Sequence, residues 1–107
     1  MRGRIRALTI LALSVLSGSA AADFQATMDA LTKDLPADAK ALVYRIVDCD
    51  HWTGEEPYDA DRRAEIERAV AELACNSLPR DEAALRRRYA ARPRVIEALD
   101  RAHKLSE

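Results

Sequence analysis

Two cysteines, Cys49 and Cys75, flank one short helix-patterned stretch, and the 107-residue chain contains no others. In a reducing compartment such a pair stays as thiols, whereas in an oxidising one it becomes a covalent tie around which everything else must fold. The start of the chain points to the second case. Arg2, Arg4 and Arg6 precede an apolar run from Ala7 to Leu16, followed by Ser17-Gly18-Ser19-Ala20-Ala21-Ala22 and then Asp23. A charged region, an apolar region and a small-residue site in that order describe a signal peptide, with Ala20 and Ala22 placing the cut after Ala22. The apolar run is about half the roughly twenty residues that cross a bilayer, so no stable membrane anchor is expected after cleavage. The expected organisation is therefore a signal peptide over 1–22 and a mature domain over 23–107, periplasmic or secreted.

Within that domain the cysteine pair reads as a disulfide, Cys49 to Cys75. A reactive thiol pair or a soft-metal site are the alternatives, and both lack the C-x-x-C spacing that would recommend them. Closing a loop of 26 residues corresponds to about 3 to 4 kcal/mol of chain entropy. That is comparable to the whole net stability of a domain this small.

Cleavage after Ala22 removes three of the 17 basic residues and none of the 18 acids, leaving a net charge of about −4. A weakly acidic surface excludes general nucleic-acid binding, which depends on neutralising phosphates. The chain is rich in alanine and arginine and holds only five aromatics, a composition that favours helix.

The apolar spacing divides the mature chain into helices. Phe24, Met28, Leu31 and Leu35 share one face of a first helix ending at Pro36. Leu35-Pro36-Ala37-Asp38 then opens a second, whose stripe is Ala39, Leu42, Val43, Ile46 and Cys49. Asp59 caps a third with Ile66, Ala69, Val70 and Leu73 on its inner face. Continued unchanged, that helix would turn Cys75 away from the stripe, so it ends around Ala74 to Asn76. Leu78-Pro79-Arg80-Asp81 repeats the earlier start signal and leads to a fourth helix carrying Leu85 and Tyr89. Pro93 begins a fifth with Val95, Ile96, Leu99 and Ala102 inward. No segment alternates with the period of two that marks a half-buried strand. The predicted fold is all-α, a compact array of four to five short helices with one disulfide.

The stretch Cys49-Asp50-His51-Trp52-Thr53-Gly54-Glu55-Glu56-Pro57-Tyr58-Asp59 departs most from helical patterning. It resembles small exported bacterial proteins that share a Cys-x-His-aromatic-x-Gly-Glu-Glu-x-Tyr-Asp segment and a second cysteine one helix later. The likeness extends through Asp81 to Tyr89. It implies an exported helical domain with a disulfide and carries no activity.

Asp48, Asp50, Glu55, Glu56, Asp59 and Asp61 fall here without an intervening lysine or arginine. Hard cations favour such oxygen donors, but an EF-hand register fails: its fifth place is Trp52, its sixth is Thr53 and its last is an aspartate. The plainer reading is a loop in which Trp52 and Tyr58 pack inward while the acids are solvated or cap the next helix. Catalysis finds no footing, since Ser77 and Ser106 are the only mature serines and neither has an evident base. Paired carboxylates in one loop occur too commonly to indicate a glycosidase. His51 reads as a hydrogen-bonded loop residue and His103 as a helix-end packing residue. The cluster Arg86, Arg87, Arg88, Arg92 and Arg94 could meet anionic groups, although arginines at a helix end with their stems on apolar neighbours are the simpler account.

The expected function is a non-enzymatic, cofactor-free protein-binding domain, of the inhibitor or immunity type, whose partner is an envelope or secreted protein. Its candidate contact residues are Asp50, His51, Trp52, Glu55, Glu56 and Tyr58. The alternative is a metal- or small-ligand-binding module using the acidic loop 48–61.

Overall fold

A computed structural model describes Gly3 and residues 19–105 of the protein. The expected signal peptide lies outside these residues except for Gly3 and residues 19–22. Among the described residues there are five α-helices and no strand: α1 (Ala20–Thr32), α2 (Ala37–Thr53), α3 (Ala60–Glu72), α4 (Leu78–Arg88) and α5 (Pro93–Lys104), with a 3-10 turn at Cys75–Ser77 before α4. The Ser19 hydroxyl accepts from the Ala22 amide and caps α1, so the expected cut after Ala22 falls in the first turn of this helix.

Each boundary has a local cause. α1 stops at Thr32, short of Pro36, because Asp34 takes a left-handed conformation at φ 60°. Aspartate tolerates that region better than most side chains. Asp59 caps α3 through the Arg62 amide at 2.7 Å, as its position before an apolar-periodic run predicts. α3 ends at Glu72, and Ala74 turns left-handed at φ 51°. The reversal re-aims the chain so that Cys75 meets Cys49, their Cα atoms 5.7 Å apart. Pro79 and Pro93 occupy first-turn positions of α4 and α5, where the missing amide costs nothing.

The core forms chiefly between α2 and α5, with α1 against both and α4 on α2. Met28, Val43, Ile46, Val95 and Leu99 are its largest fully enclosed side chains. α5 contributes Val95, Ala98, Leu99 and Ala102. α3 contributes no buried residue: Ile66, Ala69, Val70 and Leu73 are all only half covered. The apolar stripe of α3 was expected to be buried, and it remains at the rim because α3 leans on one side of α2 and on the turn after it, with no second layer beyond.

The two Leu-Pro-x-Asp signals each place an aspartate where another helix can use it. Asp38, at the start of α2, accepts 2.7 Å from the hydroxyl of Tyr89, which caps the end of α4. Asp81, in the first turn of α4, accepts 2.9 Å from Arg45 in the middle of α2. These contacts pin α2 and α4 antiparallel. The Tyr89 hydroxyl holds the Asp38 carboxyl below its ordinary range, and the Arg45 guanidinium does the same to Asp81. Tyr89 itself is shifted upward by the carboxylate it serves.

Arg45 does more than pair. Its Nε donates to the Leu73 carbonyl at 2.6 Å, and its Nη2 to the Ala74 carbonyl at 2.7 Å and the Ser77 hydroxyl at 3.0 Å. It thereby satisfies the carbonyls that the end of α3 leaves open. Arg45→Ala is expected to lower stability by about 2 to 3 kcal/mol, because several partly covered acceptors lose their donor together. Arg45→Lys recovers little of this, lacking the planar fork. Asp81 has a folded pKa below its unfolded value near 4. Its share is therefore complete above that value and fades as pH falls through the lower folded one. Urea denaturation at pH 7 and pH 3 tests this; the gap between wild type and Arg45→Ala narrows at pH 3.

Candidate binding cleft

The segment expected to be a loop from Asp50 onward is helical as far as Thr53. The Thr53 hydroxyl donates back to the Cys49 carbonyl at 2.8 Å, and the Gly54 amide reaches the carbonyls of Asp50 and His51. α2 therefore runs one turn past the cysteine, and the true connection is only residues 54–59. Helical spacing now decides which side chains share a face.

Val47, Asp48, Asp50 and His51 project from this last stretch of α2 into an open cleft of about 630 Å³, with Glu55 just beyond the helix end. Phe24 of α1 and Leu105 after α5 supply the opposite, apolar wall. Phe24 is 46% exposed and Leu105 42%, so two large hydrophobic side chains face solvent across the cleft from the acids. The cleft is lined by three carboxylates and by no lysine or arginine. His51 Nε2 stands 3.5 Å from Glu55 Oε1, and Arg62 of α3 approaches the other Glu55 oxygen at 2.9 Å.

Asp50, His51 and Glu55 thus line this wall together, whereas Trp52, Glu56 and Tyr58 are not part of it. Trp52 turns toward α3, with the Arg62 guanidinium 5.3 Å from its ring centroid and the His51 ring edge-on to it. It is half-buried. Tyr58 does not pack inward, as the sequence suggested, but is 78% exposed. Pro57 and the short Glu56–Tyr58 turn carry it outward before Asp59 starts α3. Phe24 was expected on a buried face; it sits a full turn before Met28, beyond the reach of α5's covering residues. Leu105 continues the α5 spacing three residues after Ala102, but it follows the last turn of α5 and stays 42% exposed.

A second open cleft, of about 480 Å³, lies on the other side of Asp50. Its walls include the disulfide, Glu82, Arg86 and His103. His103 Nε2 is 2.6 Å from Glu82 Oε1, Arg86 Nε donates 2.9 Å to the other Glu82 oxygen, and Arg86 Nη2 donates to Asp100 at 2.8 Å. This charged chain ties α4 to α5. The Glu82–Arg86 pair was legible as an i, i+4 contact, but the contact from His103 required the tertiary fold.

The arginines of the cluster mostly make contacts within the fold, although only Arg86 is half-buried and the other four are exposed. Arg88 pairs with Asp38 at 3.3 Å, Arg94 donates to the Ala30 and Leu31 carbonyls at the end of α1, and Arg92 lies over Tyr89. The acidic segment takes its cation from Arg62 instead of from this cluster. Among the described residues no group of three or more His, Cys, Asp or Glu side chains is placed to hold a metal ion.

Fold and cleft together define an all-helical, disulfide-tied domain with an acid-lined apolar cleft. No family model, curated protein or solved structure matches the chain.

Proposed function

We propose that this chain is an exported, non-enzymatic protein-binding domain of the periplasm or extracellular space, of the inhibitor or immunity type. Its cleft receives an apolar side chain flanked by lysine or arginine from an envelope or secreted partner. The observation that carries this reading is the placement of Phe24 and Leu105 opposite Asp48, Asp50 and Glu55. Exposed hydrophobic groups gathered in one concavity mark interaction surfaces, and three carboxylates on a wall that includes no lysine or arginine select a cationic occupant. Both walls stand on or beside helices tied into the core, which keeps the ordering cost of binding low. Export is supported by the order of Arg2 to Ala22 and by the disulfide, which suits an oxidising compartment.

The test uses labelled short peptides, one with leucine between lysines and one with leucine between glutamates, titrated by fluorescence anisotropy. The lysine peptide is expected to bind, more weakly as salt rises, and to lose affinity about tenfold or more with Phe24→Ala or with the triple change Asp48→Asn, Asp50→Asn, Glu55→Gln. Equal binding of both peptides, or indifference to these substitutions, refutes the reading. A one-to-one calorimetric isotherm with calcium, magnesium or zinc that the triple variant abolishes favours a metal-binding module in its place.

A further inference from the structure

We propose that the Cys49–Cys75 disulfide is a reducible latch on α3, whose opening releases Ala60–Asn76 while α1, α2, α4 and α5 stay folded. The first observation is that none of the 13 residues of α3 is buried, while α5 has four. The second is position: the disulfide joins the buried Cys49, one turn before the end of α2, to the turn that follows α3, so it anchors the arm at its far end. The third is access. Both cysteines lie on the wall of the open 480 Å³ cleft, with Cys49 buried and Cys75 half covered.

Apart from Arg45 at its far end, what else holds the arm lies at the rim of the fold. Arg62 pairs with Glu55 and Glu65 near the surface, where ion pairs contribute little. Its contact with Trp52 and the half-covered Ile66, Val70 and Leu73 add apolar area without enclosing any side chain. Arg45 holds the Leu73 and Ala74 carbonyls, which retains the turn only as long as Ala74 keeps its unfavourable left-handed geometry.

The chemistry is thiol–disulfide exchange with a dithiol. One thiolate of the dithiol attacks Cys75 Sγ, the Cys49–Cys75 bond breaks, and Cys49 leaves as a thiolate that takes up a proton. The second thiol of the dithiol then attacks the mixed disulfide and frees Cys75, so two electrons and two protons pass to the protein and the dithiol is left oxidised. Release of α3 carries Arg62 away from Glu55 and leaves that carboxylate without its cation at the edge of the acid-lined cleft. This coupling to ligand binding rests on the function proposed above, whereas the latch itself does not.

Hydrogen exchange read by mass spectrometry on the full chain, with and without dithiothreitol in native buffer, tests the latch. Reduction is expected to bring exchange within residues 60–76 close to that of an unstructured chain, while α2 and α5 lose on the order of 100-fold, the scale set by losing a cross-link of this loop length, and remain protected. The double variant Cys49→Ser, Cys75→Ser is expected to show the same pattern without reductant. Unchanged protection of residues 60–76 after complete reduction overturns the proposal. Loss of protection throughout the chain at once, or a bond that dithiothreitol reaches only after denaturation, overturns it equally. The anisotropy titration repeated on reduced protein reads the coupling alone: tighter binding of the lysine peptide supports it, and unchanged affinity removes the coupling but not the latch.

Discussion

Truncating Leu99 to alanine is expected to lower the unfolding free energy by about 3 to 5 kcal/mol. Leu99 is fully enclosed, in the centre of α5's inner face, where α5 meets α2. The transfer of its side chain out of water is lost on truncation, and a void remains because the neighbours cannot close over it. Val43, Ile46 and Val95 are fully enclosed themselves, and the branched ones have little rotamer freedom with which to move. Among the described residues the core numbers 13 hydrophobic side chains, so a loss of this size removes much of the margin of so small a domain. Urea denaturation followed by circular dichroism measures it, with the midpoint falling while the slope holds. Leu105→Ala is the control: that side chain is largely outside the core and its loss should change stability by no more than about 0.5 kcal/mol. Equal effects at the two positions would mean that α5 does not pack as described.

The second large effect is expected from Cys49→Ala with Cys75→Ala, which should cost about 3 kcal/mol of global stability. The cross-link constrains the unfolded chain over 26 residues of sequence, and removing it returns that freedom. Cys49 is also buried beside the core, so its replacement by alanine takes away a little packing. Helical content in the cold should fall by no more than the share of α3, since the enclosed side chains of α1, α2 and α5 are untouched. Thermal and urea unfolding of the double variant give the magnitude, and thiol titration of the native protein must find no free thiol.

The parts of this fold that were legible in the sequence are those decided within a turn or two of chain. Asp59 caps its helix, the two prolines after leucine start theirs, and the interval from Leu73 to Cys75 demands a break that Ala74 provides. Three of the four α5 stripe residues, Val95, Leu99 and Ala102, are buried as read from their helical spacing, whereas Ile96 is only half covered and Ala98 takes the fourth place. The connection after Cys49 misled because Gly54 and Pro57 signal a loop without saying how far upstream it begins. Two hydrogen bonds, from Thr53 and Gly54, extend α2 by a turn and thereby divide the candidate residues, sending Trp52 to α3 and His51 to the cleft. Neither wall residue from outside that stretch could be found by pattern. Phe24 looked like core because its spacing to Met28 is ideal, and only the tertiary arrangement shows that it is left about half exposed. Arg45 carried no signal either, since its four acceptors lie 28 to 36 residues away.

The pairing of α2 with α5 has a consequence for when the protein can fold. Val43 and Ile46 on α2 are enclosed by side chains some fifty positions later, in Val95–Ala102. A chain produced from its amino end must therefore wait for the final helix before its principal core can close. Until then it offers helical segments with open apolar faces. Cys49 and Cys75 both emerge earlier than α5. The cross-link can form on a chain whose core is still open, narrowing the search that α5 completes.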